Sequence, residues 1–413
     1  MESPLLQNVT LFLDDKPPVF ALREKAKEAL LFQGFPTPKT EAWKYTNVKN
    51  LLQTNFSIDT SEHTCNHDCC HHHQSDIVIE IRFCNDKLHV EDYDTPKGLN
   101  ITPLPLALYE GEYKKYIFNS FDIEKHPFAA LNSTYLEQGI CIEVEKNTQI
   151  KKPILLKYNF DNCENQQLNI HNIVVLEKNA KLDLIEDFSS SKQSPHFTNV
   201  VNELYLKESS TLNHYKKQTE NLLAYHITLN ALKIYEKAHY KQVYYAEGAK
   251  LSRQETLINL EQAQASAEVY TAYRAKKDSL TDITTNINHL VADTTSNQYA
   301  KAVLEEDSTA NFQGKIHIAP NAIKTAGYQL HKALYLNDSA SLNCKPELEI
   351  YADDVKCSHG ASCGELDKDQ LFYLTSRGID KTTAIDILTK AHLEEIFAYI
   401  TDETIKNLFF FDK

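Results

Sequence analysis

Apolar residues follow two different rhythms along this 413-residue chain, and the points where the rhythm changes divide it. From Pro17 to Gln33 the pattern is helical: Leu22, Ala26, Ala29 and Leu30 recur on one face, and Gly34 with Pro36 ends it. The next segment, FPTPKTEAWKYTNVKNLL, continues an N-terminal helical region and holds the single tryptophan, Trp43. Between Ser61 and Asp76, SEHTCNHDCCHHHQSD has no apolar period and reads as a linker or exposed loop. From about Ile77 to Ile350 the rhythm is period two, in short runs rich in Ile, Val, Leu, Thr and Tyr, which predicts strands. Helix signals return after Gly364. Asp367 is placed to cap QLFYLTSR, Gly378 to end it, and Asp380 to cap a longer helix in which Ala384, Leu388, Ala391 and Ile396 share one stripe. A short helix, ETIKNLFFF, closes the chain.

The corners between strands repeat. LEKNAKL from Leu176, LKESSTL from Leu206, IYEKAHY from Ile234, LEEDSTA from Leu304 and LNDSASL from Leu336 each pass from an apolar residue through a polar turn to a new strand. Their starts are about 30 residues apart or about twice that, the spacing of stacked coils that bury their apolar faces on one another. A β-sandwich is the alternative, but its hairpins call for Asn-Gly or Asp-Gly turns, and the chain has only ten glycines. The expected fold is mainly β: a β-solenoid over residues 76–364, an N-terminal helical region over 1–75 ending in the His/Cys-rich loop, and a C-terminal helical domain over 365–413. Those last helices read either as a docking module or as a cap on the solenoid's open end.

Composition narrows the classes. With 42% apolar and 24% charged residues the chain is of soluble globular type, and no run approaches the ~18 apolar residues of a membrane span. The first residues lack a basic stretch and a small-residue cleavage site, so a cytoplasmic location is expected. In a reducing compartment the nine cysteines are free thiols or ligands rather than disulfides. The net charge of -14, with no local Lys/Arg block, disfavours nucleic acid as a partner. There is no Gly-rich phosphate loop with its lysine and no paired-carboxylate motif, so the chain is not itself an ATPase.

Two places gather ligand chemistry. In KPELEIYADDVKCSHGASCGELDKDQLFYLTSRG, Cys357 and His359 stand two residues apart, a thiol and an imidazole suited to zinc, copper or cluster iron. If VKCSH continues the strand begun by ELEIYA, both face outward while Leu348, Ile350 and Ala352 fill the interior; a corner at Asp353-Asp354 would break that parity. Asp353 and Glu365 read as solvated acids, and Cys363 as a neutral neighbour or a third ligand. The densest cluster is CNHDCCHHH, with Cys65, His67, Cys69, Cys70, His71, His72 and His73. Its spacing is not that of a zinc finger, which leaves a solvated loop or a loop that gathers iron or zinc.

Four blocks carry a resemblance: TEAWKYT (Thr40 to Thr46), HPFAALN (His126 to Asn132), NFQGKIHIAPNA (Asn311 to Ala322) and KPELEIYADDVKCSHGAS followed by LFYLTSRGI. Together they resemble the SufB/SufD family of SUF iron-sulfur cluster assembly scaffolds, on its SufD side. SufB-like chains have E-H-E-A-S where this chain has CSHGAS, and a cysteine before an acidic run where it has GYQLHKALYL. The resemblance implies a right-handed parallel β-helix flanked by helical regions, and a non-enzymatic subunit that pairs with SufB through that β-helix. It further implies that His359 and Cys357 face a cluster or iron held transiently and shared with SufB, with none tightly bound to the isolated chain. The C-terminal helices would dock the ATPase SufC, through Phe372, Tyr373, Arg377 and Leu388, and the isolated chain would form a homodimer. A purely structural partner of SufB is the alternative, and a β-helix carbohydrate-active enzyme is a more distant one.

Overall fold

The structure, a computed structural model, describes residues 3–7, 9, 19–58, 77–84, 87–89, 95–160, 165–190 and 192–411. Helices α1 (Pro4–Gln7), α2 (Phe20–Gln33) and α3 (Lys49–Gln53) precede strands β1 (Ile79–Cys84), β2 (Lys87–His89) and β3 (Leu99–Pro103), then helices α4 (Leu104–Glu110) and α5 (Pro127–Ser133). The solenoid follows as β4 (Ile140–Val144), β5 (Ile154–Asn159), β6 (Gln166–Leu176), β7 (Lys181–Ser189), β8 (His196–Leu206), β9 (Thr211–Thr219), β10 (Tyr225–Ile234), β11 (His239–Glu247), β12 (Leu251–Leu260), β13 (Ser266–Ala275), β14 (Leu280–His289), β15 (Thr295–Leu304), β16 (Thr309–Ile318), β17 (Thr325–Tyr335), β18 (Ser341–Ile350) and β19 (Val355–Glu365). Helices α6 (Lys368–Ser376), α7 (Lys381–Phe397) and α8 (Glu403–Phe411) end the chain.

Successive strands alternate between two sheets. The even strands from β4 to β18, with β3 at one end, form sheet I; the odd strands from β5 to β19, with β1 and β2, form sheet II. Within the coils the pairing is parallel and in register, so like residues stack. Leu176, Leu206, Ile234 and Leu260 occupy one column and are fully buried. Each such side chain contributes about 1.5–3 kcal/mol by leaving water. Tyr158 stacks between Phe83 at 4.4 Å and Phe188 at 4.3 Å in the adjoining rungs.

Few glycines are needed because the corners use other residues in the left-handed conformation. Asn179 (φ 58°), Ser209 (58°), Lys237 (56°) and Asp307 (56°) turn four of the corners marked in the sequence. Those corners are of two kinds. The ones at Leu176, Leu206 and Ile234 lead from sheet I to sheet II, whereas those at Leu304 and Leu336 lead back.

Residues 104–135 depart from the expected strands and contain α4 and α5 instead. Each starts with a proline in its first turn, where the missing N–H costs no helical bond. Every residue of α5 is buried between α2 and the outer face of sheet I. Its Asn132 amide donates to Ile170 O at 2.9 Å and Asn199 O at 2.8 Å, satisfying backbone that faces the helix.

At the other terminus Asp367 caps α6 by accepting from Asp369 N and Gln370 N, and Asp380 caps α7 through Thr383 N. The buried stripe of α7 is Ala384, Thr389, Leu393, Ile396 and Phe397; Ala391 is exposed, a correction to the expected face. This stripe lies on the outer face of β13 and β15, where Tyr270 and Tyr399 stack at 3.6 Å and Glu395 bonds Tyr299 and Lys301. The helices therefore flank sheet II and do not cover the solenoid's end.

Candidate functional site at the open end

The last coil ends both sheets. β18 pairs only with β16 and β19 only with β17 among the described residues, so strands of 10 and 11 residues each present one unpaired edge. Pro346 sits in β18, an edge strand, where proline is tolerated. Side chains that are buried one coil below become half-buried or exposed here.

The turn at residues 351–354 carries the chain from sheet I to sheet II, and this corrects the parity expected for Cys357 and His359. Leu348 and Ile350 face the lumen from β18; after the corner, Val355, Cys357, His359, Ala361 and Cys363 face it from β19. Cys357 packs with Ile316, Ile318 and Leu348, and burial pushes its thiol up. It lies beside Gly327, and His359 beside the buried Gln329, in the strand below. His359 faces inward yet is exposed, because no coil follows.

Cys344 and His331 complete the thiol and imidazole content of this end. Cys344 Sγ lies 3.7 Å from His331 Nδ1, and His331 Nε2 is 2.7 Å from the Tyr273 hydroxyl. Burial, and secondarily His392, hold His331 down at about 4, so its imidazole is neutral at physiological pH. Burial raises the Cys344 thiol to about 11, with Cys363 the second cause. Cys363 lines an open cleft with Tyr335, Asp338, Ala340, Gly364 and Glu365. Three thiols and two imidazoles thus sit on or beside the last coil, yet no group of three or more His, Cys, Asp or Glu among the described residues is arranged to hold a metal. The end carries soft-metal ligands without a closed site.

The N-terminal region holds the neighbouring coils from outside. Asn311 Nδ2 donates to Tyr45 O at 2.8 Å and to Thr46 Oγ1 at 3.1 Å. Thr46 bonds Asp282, and Lys345 in β18 pairs with Glu41 at 2.7 Å. The TEAWKYT and NFQGKI blocks are therefore two sides of one contact. In the second block Asn311 and Gln313 point outward to that clasp, while Phe312, Gly314 and Ile316 point into the lumen.

A family model for the SufBD core domain, described as SUF system FeS cluster assembly, matches residues 159–392, and one for the SufBD protein N-terminal region matches residues 7–156. The chain belongs to the SufBD family of SUF-system iron-sulfur cluster assembly. Similar SufBD-type proteins include the iron-sulfur cluster assembly protein SufD of Escherichia coli, 28% identical over 92% of this chain and 88% of its own. A SufBD family protein of Synechocystis is 28% identical over 92% of this chain and 86% of its own, and the chloroplastic protein ABCI7 of Arabidopsis thaliana 25% over 94% and 84%. A carbohydrate-active role finds no support in a SufBD protein. No helix among the described residues is long and apolar enough to cross a membrane.

Of the residues singled out from sequence, Cys357 and His359 come together with Cys363 on one strand. Phe372 and Tyr373 stand 72% and 59% exposed on α6, with the Arg377 guanidinium 5.3 Å from the Tyr373 ring centre. Leu388 is half-buried on α7. The CNHDCCHHH cluster, Cys65 to His73, lies outside the described residues. Cys344 and His331 were missed, although Cys344 lies 32 residues after Phe312 at the matching rung, the coil period that placed the corners.

Proposed function

We propose that this chain is a non-catalytic subunit of cytoplasmic SUF cluster assembly that joins a second, SufB-type solenoid end to end through the β18 and β19 edges. The observation that carries this reading is the coincidence of two uncovered edge strands with an unfinished ligand set on the same coil. Unpaired edges invite strand addition, and a partner that adds strands there brings its own side chains to Cys344, Cys357, His359 and Cys363. Iron or a nascent cluster is the cargo of that seam, held transiently, and His359 supplies it with a neutral ligand or a proton. Left alone, the same edges pair with a second copy, giving a homodimer. The exposed Phe372, Tyr373 and Arg377 of α6 form the docking face for a SufC-type ATPase, which provides the hydrolysis this chain lacks motifs for.

His359→Ala tests the reading. Folding and association with the partner are expected to stay intact while cluster formation falls; unchanged cluster formation removes His359 from the site. Purification of the tagged chain from its host is expected to bring the SufB-type and SufC-type subunits with it. Their absence sinks the proposal.

A further inference from the structure

Two of the sequence blocks that carry the resemblance, TEAWKYT and HPFAALN, have no task at the open end. They meet on the outer face of sheet I, around a cavity of about 20 Å3 lined by Trp43, His126, Phe128, Asn199, Arg253 and Glu255. Arg253 is fully buried, yet only part of its guanidinium is used. The donors of that group lie in its plane, so its flat face can be covered without loss. Trp43 covers it, 4.0 Å from the guanidinium carbon to the ring centre, and Asp282 accepts from Nη1. Nε and Nη2, which share another edge, have no hydrogen-bond partner among the described residues.

Glu255 stands just too far away to serve that edge. Its Oε2 is 3.5 Å from Arg253 Nη2 and its Oε1 3.5 Å from His126 Nδ1, both longer than the ~2.7–3.2 Å of a direct N–H···O bond. Polar groups held at that separation are commonly joined by a water between them. Asn199 gives its two amide hydrogens to Phe128 O at 2.8 Å and Asn169 Oδ1 at 3.2 Å, so only its oxygen is left for the cavity. A buried cation with one edge unmade is a cost that folded chains offset with internal water.

We propose that this cavity is a binding site for one water molecule, which accepts from Arg253 Nε and Nη2 and donates to Glu255 and to the Asn199 oxygen. Size and charge select the occupant. The volume exceeds the ~10–15 Å3 that one water needs and is too small for an organic ligand. Asp282 and Glu255 already answer the one guanidinium, which disfavours an anion, and Arg253 itself repels a metal ion. The side chains of His126 and Glu255 are 15% and 13% exposed, so the water enters and leaves on that side. It joins three segments far apart in the chain, and the task it gives both blocks is to build a hydrated joint between the N-terminal region and the coils. Nothing in this depends on the reading of the open end.

Oxygen-17 magnetic relaxation dispersion on the full chain counts long-lived internal waters. Glu255→Leu is expected to hold one fewer than the wild type, and Glu255→Gln, whose amide oxygen still accepts, to hold the same number. Equal counts in all three overturn the site. Loss in both variants overturns it too, because an acceptor at position 255 would then not be what retains the water. If the leucine variant does not fold, Arg253→Lys keeps a cation beside Asp282 while removing the two-nitrogen edge, and is expected to lose the same water; an unchanged count overturns the proposal. A crystal structure that shows ordered solvent locates it: a water within hydrogen-bond reach of Arg253 Nε and Nη2 is expected, and an empty cavity there sinks the assignment.

Discussion

The guanidinium carbon of Arg253 sits 4.0 Å from the ring centre of Trp43, where the N-terminal region meets the outer face of sheet I. Arg253 is fully buried, and its charge is met by Asp282, itself fully buried, and by Glu255 at 3.5 Å. Asp282→Ala would leave that cation without its closest partner in the protein interior. Stability should fall by about 3–5 kcal/mol, the usual cost of breaking a buried pair from one side. Denaturant unfolding measures this, and a loss below about 1 kcal/mol would show that the pair behaves as a surface pair and does not anchor the region.

Stability should also depend on pH in two separate windows. His289 and His331 are held at about 4, against an ordinary value of 6.5, chiefly by burial and secondarily by His317 and His392. Between those values the unfolded chain binds more protons than the folded one. Their contribution is therefore full above about 6.5, shrinks as pH falls toward 4, and amounts to about 3 kcal/mol per histidine at most. Burial alone would raise the Glu255 carboxyl, but His126 and Arg253 outweigh it and hold it at about 2, so its contribution is lost as pH falls from about 4.5 through 2. Urea midpoints at pH 7, 5.5 and 4 report the first window. His289→Gln should flatten it; an unaltered slope would mean His289 is not buried neutral.

Gly314→Ala places a methyl where the Gln329 amide now lies. The backbone accepts alanine there, so the cost should come from displacing one flexible side chain, about 1–3 kcal/mol. Gln329→Ser in the same chain should recover most of it. Additive effects in this double-mutant cycle would show that the two do not touch.

Amide exchange reports the edges. In a dilute monomer the outward amides of residues 341–350 and 355–365 should exchange rapidly, and addition of the SufB-type partner should slow them by orders of magnitude. Protection arising only on α6 would place the interface elsewhere.

Phe372→Ala with Tyr373→Ala removes two rings that are mostly exposed on α6, with only the Arg377 guanidinium seen over the Tyr373 ring. Stability should change by less than about 0.5 kcal/mol, while co-purification of the ATPase is lost. Retained ATPase would move its docking face off α6.

Period-two runs, the corner spacing and the Asp367 and Asp380 caps were legible because each rests on local chemistry that tertiary contacts did not override. The orientation of Cys357 and His359 was not. A four-residue corner at 351–354, built without glycine or proline, moves the strand to the other sheet and reverses which parity faces inward. The polar lumen was equally hidden, since Gln298 and Gln329 look like outward positions to any reading that equates polar with solvent. HPFAALN carries a family resemblance but no local helix period, and its helix shows only once α2 and sheet I are packed around it.

The clasp between Thr46 and Asp282 joins residues 236 positions apart. At the usual pace of synthesis, ~5–20 residues per second, Thr46 leaves the ribosome roughly 10–50 s before its partner exists. For most of that interval Trp43 has no Arg253 to lie against, and the growing solenoid ends in whichever strand was made last. A nascent chain of this design therefore offers an aromatic anchor and a moving sticky edge together, and a chaperone that shields both until β14 is complete would raise the yield of native protein.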